Sequence, residues 1–136
     1  PNPRHGYSTD DQARALMVAV KAQSLYPEVA DWELLESRYL TFLQYAWVPE
    51  KKRFLNFFNL ARQPLEQPWS DDVHARALLG LGATVAFTHN EGHRRMAADL
   101  MEQSLSTALG FTSPRAWSLT ILAIQMFLRV YSGASA

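Results

Sequence analysis

The alternation of apolar and polar positions predicts five helices of two kinds. Three of them, at about 10–25, 71–87 and 114–131, are apolar on nearly all sides. The other two, at about 31–47 and 91–109, carry one apolar stripe with charged residues elsewhere, Glu36, Arg38, Asp99 and Glu102 among them. Helices that are apolar all round are buried, and helices with one stripe lie at a surface. We therefore predict an all-α fold of antiparallel hairpins, with helices one, three and five inside and helices two and four outside.

Small residues refine this picture. Ser8 or Thr9 can cap the first helix, and Ser113 can cap the fifth, where Pro114 occupies the first helical position. Gly80 and Gly82 fall inside the third helix, where glycine is unfavourable. We expect a neighbouring backbone to approach closely there.

The segment from 52 to 69 breaks the helical pattern. It contains a β-prone run from Phe54 to Phe58, and Pro64 and Pro68 exclude a helix. We expect a short strand or hairpin over one end of the helical array. Its polar residues Asn56, Asn59 and Arg62 could then reach the starts of the inner helices.

An internal repeat gives the strongest hint of a site. The run YSTDDQARAL at 7–16 returns as WSDDVHARAL at 69–78, each residue 62 positions later. A unit of this length suits two helices and a connection. Each copy places an aromatic residue, a cap, carboxylates and an arginine at the start of an inner helix. The repeat therefore predicts one shared polar site.

The residue types in this site suit carbohydrate chemistry. Carboxylates can act as acid and base in glycoside cleavage, arginine can grip a hydroxyl or phosphate, and an aromatic face can stack on a sugar ring. The predicted catalytic residues are Asp10, Asp72 and His74. The predicted substrate-binding residues are His5, Tyr7, Asp11, Arg14, Asn56, Trp69, Asp71 and Arg76.

The same residues also allow a structural interpretation. Serine followed by acids is an ordinary helix start, and an aspartate with an arginine one turn later is an ordinary intrahelical pair. For Asp11 and Asp71 alone the structural interpretation is favoured. The repeated pairs Asp10/Arg14 and Asp72/Arg76 could either line a pocket or lock neighbouring hairpins together.

Composition narrows the function classes. The 136 residues fit a single domain at 1–136, and 13 basic residues balance 13 acidic ones without a run of either sign, so nucleic acid is not an expected partner. The sequence contains no cysteine, no phosphate-binding loop and no signal segment. We therefore expect a cytoplasmic chain with no membrane span and no cofactor. His89 and His93 do not match the spacing of a zinc-protease helix, and no metal is expected.

Five segments carry a family resemblance: RHGYSTDDQARAL at 4–16, YLTFLQY at 39–45, FLNFF at 54–58, SDDVHARAL at 70–78 and FTSPRAW at 111–117. In this order they resemble the helical domain of bacterial glycosyltransferases and mannosyltransferases, which is similar to the toroid of six-hairpin glycosidases. The family pattern usually has Asn, Glu, Ser and Gly where this chain has Gln12, Asp71, Val73 and Ala75. The resemblance implies a partial (α/α) toroid, because five helices cannot close a ring of twelve.

Two functions follow as expectations. The first is a carbohydrate-active module that binds a glycan or sugar phosphate at the starts of the inner helices. Whether it also processes this ligand is left open. The second is a non-catalytic helical scaffold or interaction domain associated with a glycosyltransferase domain. Enzymatic activity is left open. We also expect self-association through helix five or the face of helix one.

Overall fold

The computed structural model describes residues 6–65 and 67–132. The α-helices in this part of the chain are α1 (Thr9–Leu25), α2 (Trp32–Ala46), α3 (Asp71–Phe87), α4 (Glu91–Ser104) and α5 (Pro114–Val130), with a 3-10 helix at Leu105–Gly110. Four two-residue strands accompany them: β1 (Tyr7–Ser8), β2 (Trp47–Val48), β3 (Arg53–Phe54) and β4 (Phe57–Phe58). The mainly helical fold and the five predicted helices are confirmed.

Side-chain caps fix where the helices begin. The hydroxyls of Ser8, Ser70 and Ser113 accept hydrogen bonds from backbone N–H groups in the first turns of α1, α3 and α5. Asp31 and Asn90 do the same for α2 and α4. These groups satisfy donors that a helix start otherwise leaves without an acceptor.

The central element is α3. It packs against α1, α4 and α5, and α1 also packs against α2. Twelve of the 17 residues of α3 are buried, which confirms that this helix is enclosed. The inner helices therefore lie in the order α1, α3, α5, with α2 and α4 as covering helices. The largest completely buried apolar side chains include Phe58, Leu16, Leu40, Leu43, Leu78, Leu81, Leu100 and Met101.

Two glycines let the inner helices approach each other. A Cβ at Gly80 would lie 3.1 Å from the Ala13 carbonyl oxygen of α1, and one at Gly82 would lie 2.6 Å from the Ala123 carbonyl oxygen of α5. The close approach predicted from these glycines is confirmed on both sides of α3.

The prediction that α1 and α5 are buried on every side is wrong. Val18 of α1 is 60% exposed, and Ile121 of α5 is 65% exposed. The reason is position: α3 has neighbours on several sides, whereas α1 and α5 flank it and keep a free face. Apolar composition alone does not distinguish a central helix from a flanking one.

One further boundary differs from prediction. The fourth helix changes to a 3-10 helix after Ser104, at the point where the Ser104 carbonyl accepts a hydrogen bond from a buried histidine ring.

The β-prone segment forms short strands and turns back on itself, as expected. Phe58 and Pro64 form an antiparallel bridge, and Leu65 N donates a 3.0 Å hydrogen bond to the Phe57 carbonyl. In addition, β3 pairs antiparallel with β2, and β4 pairs antiparallel with β1. The segment thereby ties the start of α1 to the end of α2.

Candidate functional site

Asp10 is the point where the two copies of the repeat meet. Arg14 Nη2, from the same copy, lies 2.8 Å from Asp10 Oδ2, and Arg76 Nε, from the other copy, lies 3.3 Å from Asp10 Oδ1. The Arg76 N–H is not aligned for a hydrogen bond, so this second contact is an electrostatic one. The structure thus brings Asp10, Arg14 and Arg76 into one cluster, which we call the N-terminal cluster.

The acids of the second copy have other partners. Asp71 Oδ1 lies 2.9 Å from Arg53 Nη1 of β3, and Asp71 Oδ2 accepts a long hydrogen bond of 3.4 Å from the backbone N–H of Thr112. Asp72 Oδ1 accepts a 3.2 Å hydrogen bond from the Ser113 hydroxyl at the start of α5. Among the ion pairs in the described part of the chain, none joins Asp72 to Arg76. The two copies are therefore alike in sequence but not in contacts.

Asn56 lies against the start of α1. Its carbonyl oxygen accepts a 2.8 Å hydrogen bond from Thr9 N, and its side-chain oxygen accepts a 3.4 Å hydrogen bond from Asp10 N. Asn59, in contrast, bonds to Gln63. The polar groups of Asn56 and Asn59 are thus used to hold the backbone.

The two aromatic residues of the repeat differ in environment. Tyr7 is half-buried, with its ring centroid 6.1 Å from that of Phe42 and 5.8 Å from the Arg62 guanidinium carbon. Trp69 is 44% exposed. Asp11 is exposed, and its backbone N–H donates to the Ser8 hydroxyl. His5 lies outside the described residues.

His74 lies inside the protein, away from solvent. Its side chain is completely buried, and its ring centroid lies 5.0 Å from that of Phe54 and 5.5 Å from that of Phe111. The pKa of His74 is lowered from 6.5 to about 4, mainly by burial and also by the nearby Arg53 charge, while a hydrogen bond to Ser104 and the Asp71 charge act in the opposite direction. Nε2 lies 2.9 Å from the Ser104 carbonyl oxygen. A carbonyl only accepts, so the neutral ring carries its proton on Nε2.

A buried acid, predicted from its helix pattern to lie on the outer surface, joins four helices. Glu36 of α2 is completely buried and accepts hydrogen bonds from Gln23 of α1, Thr88 at the end of α3 and, at 2.9 Å, His93 Nδ1 of α4. Placing Glu36 outside was wrong, because it falls one turn before Leu40 on the buried stripe of α2. An acid in register with an apolar stripe was the signal for this cluster.

Two cavities lie away from the N-terminal cluster. The larger, about 1130 Å³, is a groove between α5 on one side and α4 with the 3-10 helix on the other. We call it the α4/α5 groove. The smaller, about 340 Å³, is an open depression lined by Asp31, Glu33, Leu34, Ser37 and His93. The larger groove is mainly apolar, and the smaller one is mainly polar.

In the described ranges, no three histidine or acidic side chains lie close enough together to hold a metal ion. Within the same residues, each helix is too short or too polar to cross a membrane. Comparison with protein-family models, with curated proteins and with solved structures finds no match to this chain.

Proposed function

We propose that this chain is a non-catalytic helical scaffold in which the charged residues of the repeat hold neighbouring hairpins together. The observation that carries this proposal is the contact between Asp10 of α1 and Arg76 of α3, which joins one copy of the repeat to the other. The two acids of the second copy also connect separate elements: Asp71 contacts Arg53 of β3, and Asp72 contacts Ser113 before α5.

The state of these groups favours structure over chemistry. A general acid or base needs a proton that it can exchange with a bound substrate near the working pH. His74 is buried and neutral, with its pKa at about 4. The carboxylates of Asp10, Asp71 and Asp72 already contact arginine, hydroxyl or backbone donors that lie on neighbouring elements.

The proposal extends to the larger assembly. Inner helices in the order α1, α3, α5 with covering helices α2 and α4 are the arrangement expected in a segment of an (α/α) toroid. We place the chain in the cytoplasm, because it lacks cysteine, and beside a glycosyltransferase domain, as the family resemblance implies.

Carbohydrate binding is the second candidate function. It is favoured by the partial exposure of the N-terminal cluster, where the Asp10 side chain is 25% exposed and the Arg14 side chain is 53% exposed. Exposed Trp69, in the second copy, is a residue type on which a sugar ring can stack. A glycan or sugar phosphate would then use the same charges that join the hairpins.

One pair of variants separates the two functions. We would compare Asp10→Asn and Asp72→Asn with Asp11→Asn, an exposed acid in the first turn of α1. Melting temperature and binding to an array of mannosides, glucosides and sugar phosphates would be measured for each. The scaffold proposal expects lower melting temperatures for the first two variants and no glycan bound by the unmodified chain. Glycan binding that disappears in Asp10→Asn or Asp72→Asn at an unchanged melting temperature would reject it.

A further inference from the structure

Helix α5 has two apolar faces, and α3 covers only one of them. Ala116, Thr120 and Ala123 are its buried residues, and Ala123 meets Gly82 of α3. Trp117, Ile121, Ile124 and Leu128 follow each other at spacings of three and four residues and line the α4/α5 groove. Such spacing places them in one stripe along the helix. A second complete contact face is therefore present on α5.

The groove has two walls. Met101, Leu105 and Leu109 form the wall opposite α5, and Leu109 is 92% exposed. A cleft between two helical elements, lined on both sides by large apolar side chains, has the form of a groove that accepts a third helix.

Four large apolar side chains that line the groove are strongly exposed. Leu109, Trp117, Ile121 and Leu128 are between 43% and 92% exposed. Single exposed apolar residues are normal on a protein surface, whereas a contiguous exposed apolar patch marks an interaction site. The groove therefore has the character of a contact surface.

We propose that the α4/α5 groove binds an amphipathic α-helix of a partner polypeptide, lying along α5 as α2 lies along α1 and α4 lies along α3. In both existing cases an inner helix is covered by a helix with a single apolar stripe. The third inner helix has the matching face without such a cover. This inference goes beyond the scaffold proposal and does not depend on what the N-terminal cluster binds.

Charge defines the partner further. Glu102 is the one ionisable residue among the described residues that line the groove, and it is exposed at the rim. A helix that places lysine or arginine beside its apolar stripe can pair with Glu102. The expected partner is thus a basic amphipathic helix.

The test uses a designed peptide as the probe. The peptide has the length of α5, 17 residues, with leucines spaced three and four apart and with lysine and alanine elsewhere. A scrambled peptide of the same composition, which has no stripe, is the control. Binding to the whole chain is measured by isothermal titration calorimetry. We expect the striped peptide to bind and the scrambled peptide not to bind.

Matched variants locate the contact. Ile121→Asp places a charge in the groove, and Val18→Asp places one at a similarly exposed apolar site on α1. We expect Ile121→Asp to weaken peptide binding about tenfold or more, and Val18→Asp to change it less than about twofold. Glu102→Gln should weaken binding more at low salt than at high salt. Circular dichroism verifies that each variant is folded.

Three results would overturn the proposal. The first is equal binding of the striped and scrambled peptides, which means a nonspecific apolar surface. The second is an equal loss of binding in Ile121→Asp and Val18→Asp. The third is that the striped peptide does not bind. This result also counts against the proposal if a second copy of the chain covers the groove. Sedimentation would then detect a dimer, and Ile121→Asp would dissociate it.

Discussion

Asp10 and Arg76 lie 3.3 Å apart, yet they belong to different copies of the repeat and to different helices. In the sequence, Asp10 and its counterpart Asp72 each lie one turn before an arginine of their own helix. In the first copy that pair does form, between Asp10 and Arg14. The additional contact to Arg76 converts a local pair into a connection between α1 and α3.

Replacing Asp10 by asparagine should therefore destabilise the fold. Asp10→Asn removes the charge that faces Arg76, whose side chain is only 16% exposed. We expect the free energy of unfolding to fall by about 1 kcal/mol, the upper end for a partly exposed pair. Urea denaturation measures the change. Asp11→Asn is the matched control, because it removes a charge from the same helix turn without removing an ion pair. Equal losses in the two variants would show that only the helix dipole is involved.

His74 should make the fold sensitive to acid. Its pKa is lowered from 6.5 to about 4 in the folded chain, so between these pH values the unfolded chain binds a proton that the folded chain does not. Stability from this group is complete above pH 6.5 and is lost as the pH falls towards 4, by about 3 kcal/mol in all. Urea denaturation at pH 7.5 and pH 4.5, for the unmodified chain and for His74→Gln, isolates this contribution. The pH dependence of the variant should be smaller, and an unchanged dependence would contradict the assignment.

Gly82 should not tolerate a methyl group. The Cβ of alanine would lie 2.6 Å from the Ala123 carbonyl oxygen, which is backbone and must move with α5. We expect Gly82→Ala to cost about 1–3 kcal/mol of stability despite the better helix propensity of alanine. Gly110→Ala is the control, since its Cβ would meet nothing within 4 Å. Thermal unfolding of both variants tests the prediction. It fails if Gly82→Ala melts at or above the temperature of the unmodified chain.

Glu36 should be the most sensitive acid in the chain. Glu36→Leu would leave Gln23, Thr88 and His93 without the acceptor that they share in the interior. We expect a loss of about 3 kcal/mol or more, because buried donors without a partner are costly. Glu33→Leu is the comparison, since Glu33 is exposed and, among the described residues, accepts a hydrogen bond from Asn90 alone. Denaturant unfolding that ranks Glu33→Leu as the more harmful change would disprove this account.

The helices could be predicted from the sequence because their signals are local. Serine caps, prolines and the 3.6-residue period fix the bounds of α1, α3 and α5 within a residue or two. The glycines of α3 are also a local signal, because glycine inside a helix indicates a position where no side chain fits. These features depend on neighbours along the chain.

The features that could not be predicted depend on which helices become neighbours. Apolar residues around α5 resemble those around α3, but α3 packs against three other α-helices and α5 packs mainly against one. The partner of Asp72 is a serine 41 residues away, and the partners of Glu36 come from three other helices. His74 occupies the position equivalent to Gln12 in the repeat, and the packing of Trp47, Phe54 and Phe111 around its ring makes it an interior residue.

The residues that follow the helix caps also determine which kind of helix could extend this array. Asp10 and Asp72 each follow their cap serine by two residues, whereas the cap Ser113 of α5 is followed at that distance by Arg115. A further inner helix that offered an arginine, as α3 offers Arg76 to Asp10, would meet like charge. Another inner helix stacked beside α5 would therefore need an acidic group where α3 carries a basic one.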